Sequence, residues 1–242
     1  MKLGRRWLIA VVTLSLLPFV FIKPTHAAPL QPGQIFVAYG GKQIGVFADT
    51  VSLSGNVIQT LEVPSPGFLK VTTLGGGGGL ALDEEGNLYA TLSDNTGSVG
   101  LVKFRASDGS KVFEKNYTIS GVTDFRSLVV RDGKIYVATN RGIRVFDATN
   151  GNYLTSFGGT SAFRDLAFDS QGNLYALREP TTGTAEIRRW SAGNFSGEGT
   201  ILLQASGNKD PRALLVDEQG NIYFTVNTVS YTHLTLPTNR EV

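Results

Sequence analysis

Four segments of the chain repeat one order of apolar and polar positions. An apolar triplet, a short polar turn and a strand-like run with a tyrosine at its second place follow one another in "LALDEEGNLYATL" (80–92), "LVVRDGKIYVAT" (128–139), "LAFDSQGNLYALR" (166–178) and "LLVDEQGNIYFTV" (214–226). Each triplet is apolar at successive positions, the pattern of a strand buried on both faces. The run after the turn carries its tyrosine where a side chain half buried between neighbouring sheets is expected. A fifth run, "GQIFVAY", places Phe36 in the tyrosine's position. Aligned on Phe36, Tyr89, Tyr136, Tyr175 and Tyr223, the units recur at intervals of 53, 47, 39 and 48 residues.

The tightest unit, "SLVVRDGKIYVATNRGIRVFDATNGNYLTSF", predicts four strands at Leu128–Arg131, Lys134–Thr139, Gly142–Asp147 and Asn152–Phe157. Asp132-Gly133, Asn140-Arg141 and Thr149-Asn150-Gly151 break them. Asp accepts from its own backbone two residues on, and Gly takes the positive φ that a hairpin of this twist requires. A repeat of this length with only strand-like content predicts an all-β fold, a β-propeller of four-stranded antiparallel blades. The body supplies about four blades and the start of a fifth at this period.

The segments "LALDEEGNLYAT", "LAFDSQGNLYAL", "LLVDEQGNIYFT" and "GIRVFDATNGNYLTSFG" resemble NHL-repeat propellers and their streptogramin-lyase-like and gluconolactonase-like six-bladed relatives. The likeness covers residues 33–228. Asn140-Arg141-Gly142 is a partial echo of the Asn-His-Arg stretch typical of many such blades. Six blades at this period need roughly 280 residues, so the resemblance implies a truncated propeller.

The two ends are read apart from the repeats. Lys2, Arg5 and Arg6 precede the apolar run "WLIAVVTLSLLPFVFI", and Thr25-His26-Ala27 has small residues before a cut, so 1–27 is expected to be a bacterial-type signal peptide. The mature protein is then expected in the periplasm or outside the cell, with no stable membrane insertion. At the other end, "VSYTHLTLPT" (Val229–Thr238) matches the in-frame translation of a transposon-type sequencing adapter. Residues 229–242 are therefore expected to be a non-native tail, leaving 28–228 as the partial propeller domain.

With 41% apolar residues and no cysteine, the body must be held by its core and not by disulfides. Between the leader and the tail stand 17 basic and 19 acidic groups, which leaves no basic footprint for nucleic acid. His26 and His233 both fall in the ends, so the body has no histidine for lyase-like chemistry.

Asp83, Asp169 and Asp217 belong to the recurring turn, and turn capping is favoured over Ca²⁺ ligation because each stands alone in its own hairpin. "LGGGGGL" (Leu74–Leu80) lacks the Gly-Lys-Ser/Thr of a phosphate loop and is expected to lead into a strand. Asn116 in "NYT" and Asn194 in "NFS" match the glycosylation acceptor pattern and are expected to be ordinary loop residues. Arg126 in "FRSLVV", Arg164 in "FRDLAF" and Arg212 in "PRALLV" hold one place just before the apolar triplet. Three guanidinium groups there are expected to form a ligand site for an anion; the alternative pairs them with Asp124, Asp165 and Asp210 to order loops. The expected function is binding of a small anionic ligand, glycan or protein partner, with no cofactor and no resident metal. The resemblance leaves a second reading, a lactonase-like hydrolase holding a divalent metal through acidic and amide side chains. Glu62, Asp49 and Asn56 lie in its general region, without a motif behind them.

Overall fold

The computed structural model describes residues 28–39, 43–47, 57–62, 79–93, 97–207, 210–226 and 232–234. The expected signal peptide, Asp49, Asn56 and most of the glycine-rich stretch lie outside the described residues. Among the described residues, five antiparallel sheets follow one another along the chain. The first holds β1 (Ile35–Tyr39), β2 (Gln43–Phe47) and β3 (Val57–Glu62), and the second β4 (Leu80–Leu82), β5 (Leu88–Ser93), β6 (Val99–Phe104) and β7 (Lys111–Tyr117). The third holds β8 (Phe125–Arg131), β9 (Lys134–Thr139), β10 (Ile143–Asp147) and β11 (Tyr153–Phe157), and the fourth β12 (Phe163–Phe168), β13 (Leu174–Arg178), β14 (Ala185–Trp190) and β15 (Thr200–Ala205). The fifth holds β16 (Pro211–Val216), β17 (Ile222–Val226) and β18 (Thr232–Leu234). Each strand pairs with the next in sequence, so hairpins alone generate every sheet. Because β1 carries Phe36, the described strands of the first sheet correspond to the second, third and fourth of the later ones. No helix among the described residues is long and apolar enough to cross a membrane.

The contacts divide the chain into two compact units. One comprises Met1–Phe125, Val130–Lys134 and Asp147–Asn152, and the other Arg126–Val129, Ile135–Phe146 and Tyr153–Val242. In the first unit, Phe36, Ile44, Val46 and Leu61 pack against Leu80, Leu88, Leu92, Val102 and Phe104, joining the first two sheets face to face. In the second, Tyr136, Ile143, Val145 and Phe157 meet Phe163, Leu174, Ala176 and Trp190 between the third and fourth sheets. On the opposite face of the fourth sheet, Tyr175, Leu177, Ala185 and Ile187 meet Leu214, Val216, Ile222 and Phe224. Period-two alternation therefore sends apolar side chains to both faces of a middle sheet. At about 25 cal/mol per Å² of apolar surface, these faces supply the main driving force in a chain without disulfides.

Burial differs from the expectation in two respects. The first strand is not the most deeply buried: β8 and β12 are buried at only some positions, whereas β5 is buried throughout and β9 nearly so. A first strand has a sheet neighbour on one side only, while the second has a strand on each side. The tyrosines, expected half buried, are almost wholly enclosed at Tyr89, Tyr136 and Tyr175. Tyr223 is the exception at 38% exposed. Fourth strands are the most open, with Ile58, Val112, Leu154 and Ile201 all exposed.

A bulge recurs in the ladder between third and fourth strands. Register shifts occur between Val46 and Phe47, Lys103 and Phe104, Val145 and Phe146, and Ile187 and Arg188. An extra residue at this place raises the local twist and bends the outer strand.

Candidate functional site

The recurring turn is a closed hydrogen-bond device. Asp83 Oδ1 accepts from the N–H of Glu85 at 3.1 Å and of Asn87 at 2.8 Å, while its Oδ2 accepts from Asn87 Nδ2 at 2.8 Å and Tyr89 OH at 2.9 Å. Asp169 accepts the same set from Asn173 and Tyr175, and Asp217 from Gln219, Asn221 and Tyr223. Gly86, Gly172 and Gly220 take φ of +84°, +85° and +83°, which lets the chain reverse under the carboxylate. The amide oxygens of Asn87 and Asn173 accept the N–H of Ala106 and Ala192, tying the turn to the end of the third strand. Four donors on one carboxylate leave little lone-pair capacity for a cation, so the turn-capping reading holds for these aspartates. Burial raises the Asp169 pKa, but the bonds from Asn173, Tyr175 and Gln171 outweigh it and hold the carboxyl below the usual range. Desolvation, with the Asp169 charge beside it, pushes the Tyr175 hydroxyl up to about 12.

Arg126, Arg164 and Arg212 each occupy the second residue of a first strand, β8, β12 and β16. Arg126 Nη1 donates to the carbonyl of Phe163 at 3.0 Å, which carries its guanidinium to the start of β12. Arg164 pairs with Glu179 at 3.0 Å, and Arg212 with Asp210. The partner of Arg212 is the one anticipated from sequence; the acid met by Arg164 is Glu179, contributed by the segment after β13.

Asp165 has a different task. Its Oδ1 accepts the N–H of Leu166 at 2.9 Å and its Oδ2 the N–H of Leu214 at 2.7 Å, and the Ser127 side chain also bonds to it. One carboxylate thus links β8, β12 and β16. Desolvation raises its pKa, against the three hydrogen bonds that favour the charged form. Ser127, Asp165 and Ala213 stand at equivalent places directly after the arginines, a signal present in "FRSL", "FRDL" and "PRAL" but read only at the arginine.

On the fourth sheet, Glu186 is 1% exposed and takes Arg178 Nε and Arg188 Nε on the same oxygen, both at 2.6 Å. Arg188 continues to Glu198 at 3.0 Å, and Arg178 Nη1 donates to Ser161 Oγ at 2.5 Å. Burial alone would raise the Glu186 pKa; the two guanidinium groups overcome it and hold the carboxyl below the usual range. Among the described residues no group of three or more His, Cys, Asp and Glu side chains is placed to hold a metal ion. Glu62 is exposed at the end of β3.

No protein-family model and no curated protein sequence matches the chain. Solved structures do match. A protein of unknown function from Bacteroides caccae superposes with a TM-score of 0.56 at 16% identity, over 85% of this chain and 69% of that one. A chain of the mitotic checkpoint complex gives 0.59 at 12% identity, over 85% and 59%. The Dos1 propeller gives 0.51 at 13% identity, over 84% and 56%. The fold is a β-propeller. This chain spans little more than half the length of the last two. At these identities the likeness is one of architecture, with no residue of a site carried over.

In propeller terms, Arg126, Arg164 and Arg212 are equivalent residues of successive blades, and Asp165 fastens the first strands of those blades together. The Asp-x-x-Gly-Asn-x-Tyr turn lies at the opposite end of β12 and β16 from the arginine, and Asp132-Gly133 takes that place after β8. What sequence reasoning missed is the tyrosine hydroxyl as a ligand of the turn carboxylate, although the constant six-residue spacing from Asp to Tyr marks it.

Proposed function

We propose that the protein is an exported β-propeller that binds an anionic group, a carboxylate, sulfate or phosphate borne by a small molecule, glycan or protein partner, through Arg126, Arg164 and Arg212. The observation that carries this reading is their equivalent placement on β8, β12 and β16, with the Arg126 guanidinium reaching the start of β12. A guanidinium has five N–H donors in a fixed fork, so one group can order its own loop and contact an anion at once. The basic, apolar leader at 1–27 supports export. A propeller serving within a protein assembly, as in the mitotic checkpoint complex, supports the binding role in general terms. The hydrolase alternative gains no donor set from the described residues.

The test is the melting temperature in sodium sulfate against sodium chloride at matched ionic strength, for the wild type and for Arg126→Gln/Arg164→Gln/Arg212→Gln. An anion that binds the folded state stabilises it by mass action, and the comparison removes the general salting effect of sulfate. The wild type is expected to gain more than the variant. Equal gains would reduce the arginines to loop-ordering residues.

A further inference from the structure

The fourth sheet contains a second cationic position, away from the first-strand arginines. Arg189 on β14 lies opposite Tyr175 on β13, and its guanidinium carbon sits 6.0 Å from the centre of the tyrosine ring. The second sheet has the same pair, Lys103 opposite Tyr89, with the Lys103 ammonium 4.9 Å from the ring centre. There the cation is fully accommodated: Lys103 Nζ donates to the Ala148 carbonyl at 3.0 Å and lies 3.9 Å from Asp83 Oδ2. Arg189 has no such partners. Its Nε is buried without an acceptor, and it forms no ion pair among the described residues.

A cavity of about 220 Å³ is lined by Arg189, Trp190 and residues of the segment that follows. The loop from β14 to β15 folds over it, bringing Ser191, Asn194, Ser196 and Thr200 to its wall beside Arg189. Trp190 anchors that loop by donating its indole N–H to the Ser196 carbonyl at 3.1 Å, and its ring lies against Gly199, where a Cβ would come within 2.6 Å of it. The turn is further fixed by Asn194 N–H to the Ser191 carbonyl at 3.0 Å and by Ser196 Oγ to Asn194 Oδ1 at 3.0 Å. Its volume falls below the roughly 300 Å³ at which pockets for drug-sized molecules begin, but several water molecules at about 30 Å³ each would fit.

We propose that this cavity is a binding site for a small tetrahedral oxyanion, phosphate or sulfate, held by the Arg189 guanidinium with hydroxyl and amide donors from the β14–β15 loop. Arginine cannot shed its proton, so an unpaired guanidinium in a partly desolvated place is stabilised only by an anion or by water. The Ser191 and Thr200 hydroxyls and the Asn194 side-chain amide belong to residues of the same wall, and an oxyanion accepts from donors of all these kinds. The Tyr175 ring, 6.0 Å from the guanidinium carbon, lies at the outer limit of a cation–π contact and so does not replace a counter-charge.

Trp190 is one of two tryptophans in the chain, the other being Trp7 in the leader, and its indole N–H reports on this loop. The full chain, labelled with ¹⁵N, is titrated with sodium phosphate at ionic strength held constant by sodium chloride, and the Trp190 indole resonance is followed. A saturable shift is expected in the wild type and equally in Arg126→Gln/Arg164→Gln/Arg212→Gln, which separates this site from the first-strand arginines. Arg189→Gln should weaken phosphate binding about ten-fold or more, the usual consequence of losing a charge-assisted contact. Asn194→Asp, which adds a negative charge at the wall without touching the core, should weaken it comparably and serves if the arginine variant does not fold. No saturable shift in the wild type, or one undiminished in either single variant, would overturn the proposal.

Discussion

The carboxylate of Asp165 accepts the backbone N–H of Leu214 at 2.7 Å, a bond that spans 49 residues and joins the first strands of two blades. Burial raises its pKa, so the folded protein holds this proton more tightly than the unfolded chain does. The cost of ionising it is absent well below the unfolded carboxylate value, near about 4, and grows as pH rises through the folded value. Asp165→Asn carries no such proton. The melting temperature of the wild type relative to the Asn variant is therefore expected to be highest in acid and to fall towards neutral pH. A pH-independent difference would show that the carboxylate ionises as freely in the fold as outside it.

The turn aspartates should behave with the opposite sign. Asp169 is held below its ordinary pKa, so its stabilisation is present above the unfolded value and is lost as pH falls through the folded one. Asp169→Ala should destabilise the protein by about 1–3 kcal/mol, because it strips acceptors from donors that stay buried. Asp217→Ala makes the corresponding change where Tyr223 is exposed, and should cause a smaller drop. Urea midpoints for the two variants would reveal the order, and equal losses would contradict it.

Glu186 neutralises two guanidinium groups from one oxygen. Glu186→Gln should destabilise by about 3–5 kcal/mol, since Arg178 and Arg188 would keep their charges without a full counter-charge. Arg178→Met/Glu186→Leu/Arg188→Met removes all three charges together and should recover much of the loss. Thermal melts of the single and triple variants distinguish charge imbalance from lost packing: a triple variant as weak as the single one would favour packing.

Two glycines of similar backbone angle differ in their surroundings. Gly142 has φ of +79° and a Cβ there would lie 2.7 Å from the Gly159 carbonyl oxygen, whereas at Gly133, with φ of +68°, nothing stands within 4 Å. Gly133→Ala should lose about 1 kcal/mol, the order of a non-glycine residue at positive φ. Gly142→Ala adds a backbone clash and should lose clearly more. Chemical denaturation of both variants separates strain from crowding.

The strand plan was legible because its signals are local. Asp132-Gly133 specifies a tight reversal wherever it occurs, and the strands expected at Lys134–Thr139 and Asn152–Phe157 match β9 and β11 to within a residue. Burial was less legible because it depends on what lies above and beside a strand. The triplet "LVV" is apolar enough for a core, yet β8 has a sheet neighbour on one side only. The acid paired with Arg164 was missed for the same reason: Glu179 is fifteen residues away and comes near only through the β12–β13 hairpin. Arg189 gave no signal of its own in sequence, since a cation opposite a tyrosine is satisfied in one blade and unsatisfied in another.

The repeated bulge between third and fourth strands separates two kinds of inheritance within each blade. In the second and fourth sheets, the strands up to the bulge are tied by the Asp-x-x-Gly-Asn-x-Tyr turn, whose bonds reach from the first hairpin to the end of the third strand. Beyond it the ladder starts afresh, and β7, β11 and β15 are exposed or half-buried at every position but Phe157. An outer strand is therefore a replaceable part: with Phe157 kept, exchanging the rest of β11 for β15 at the bulge would transplant surface chemistry from one blade to another without disturbing the alignment of the strands beneath.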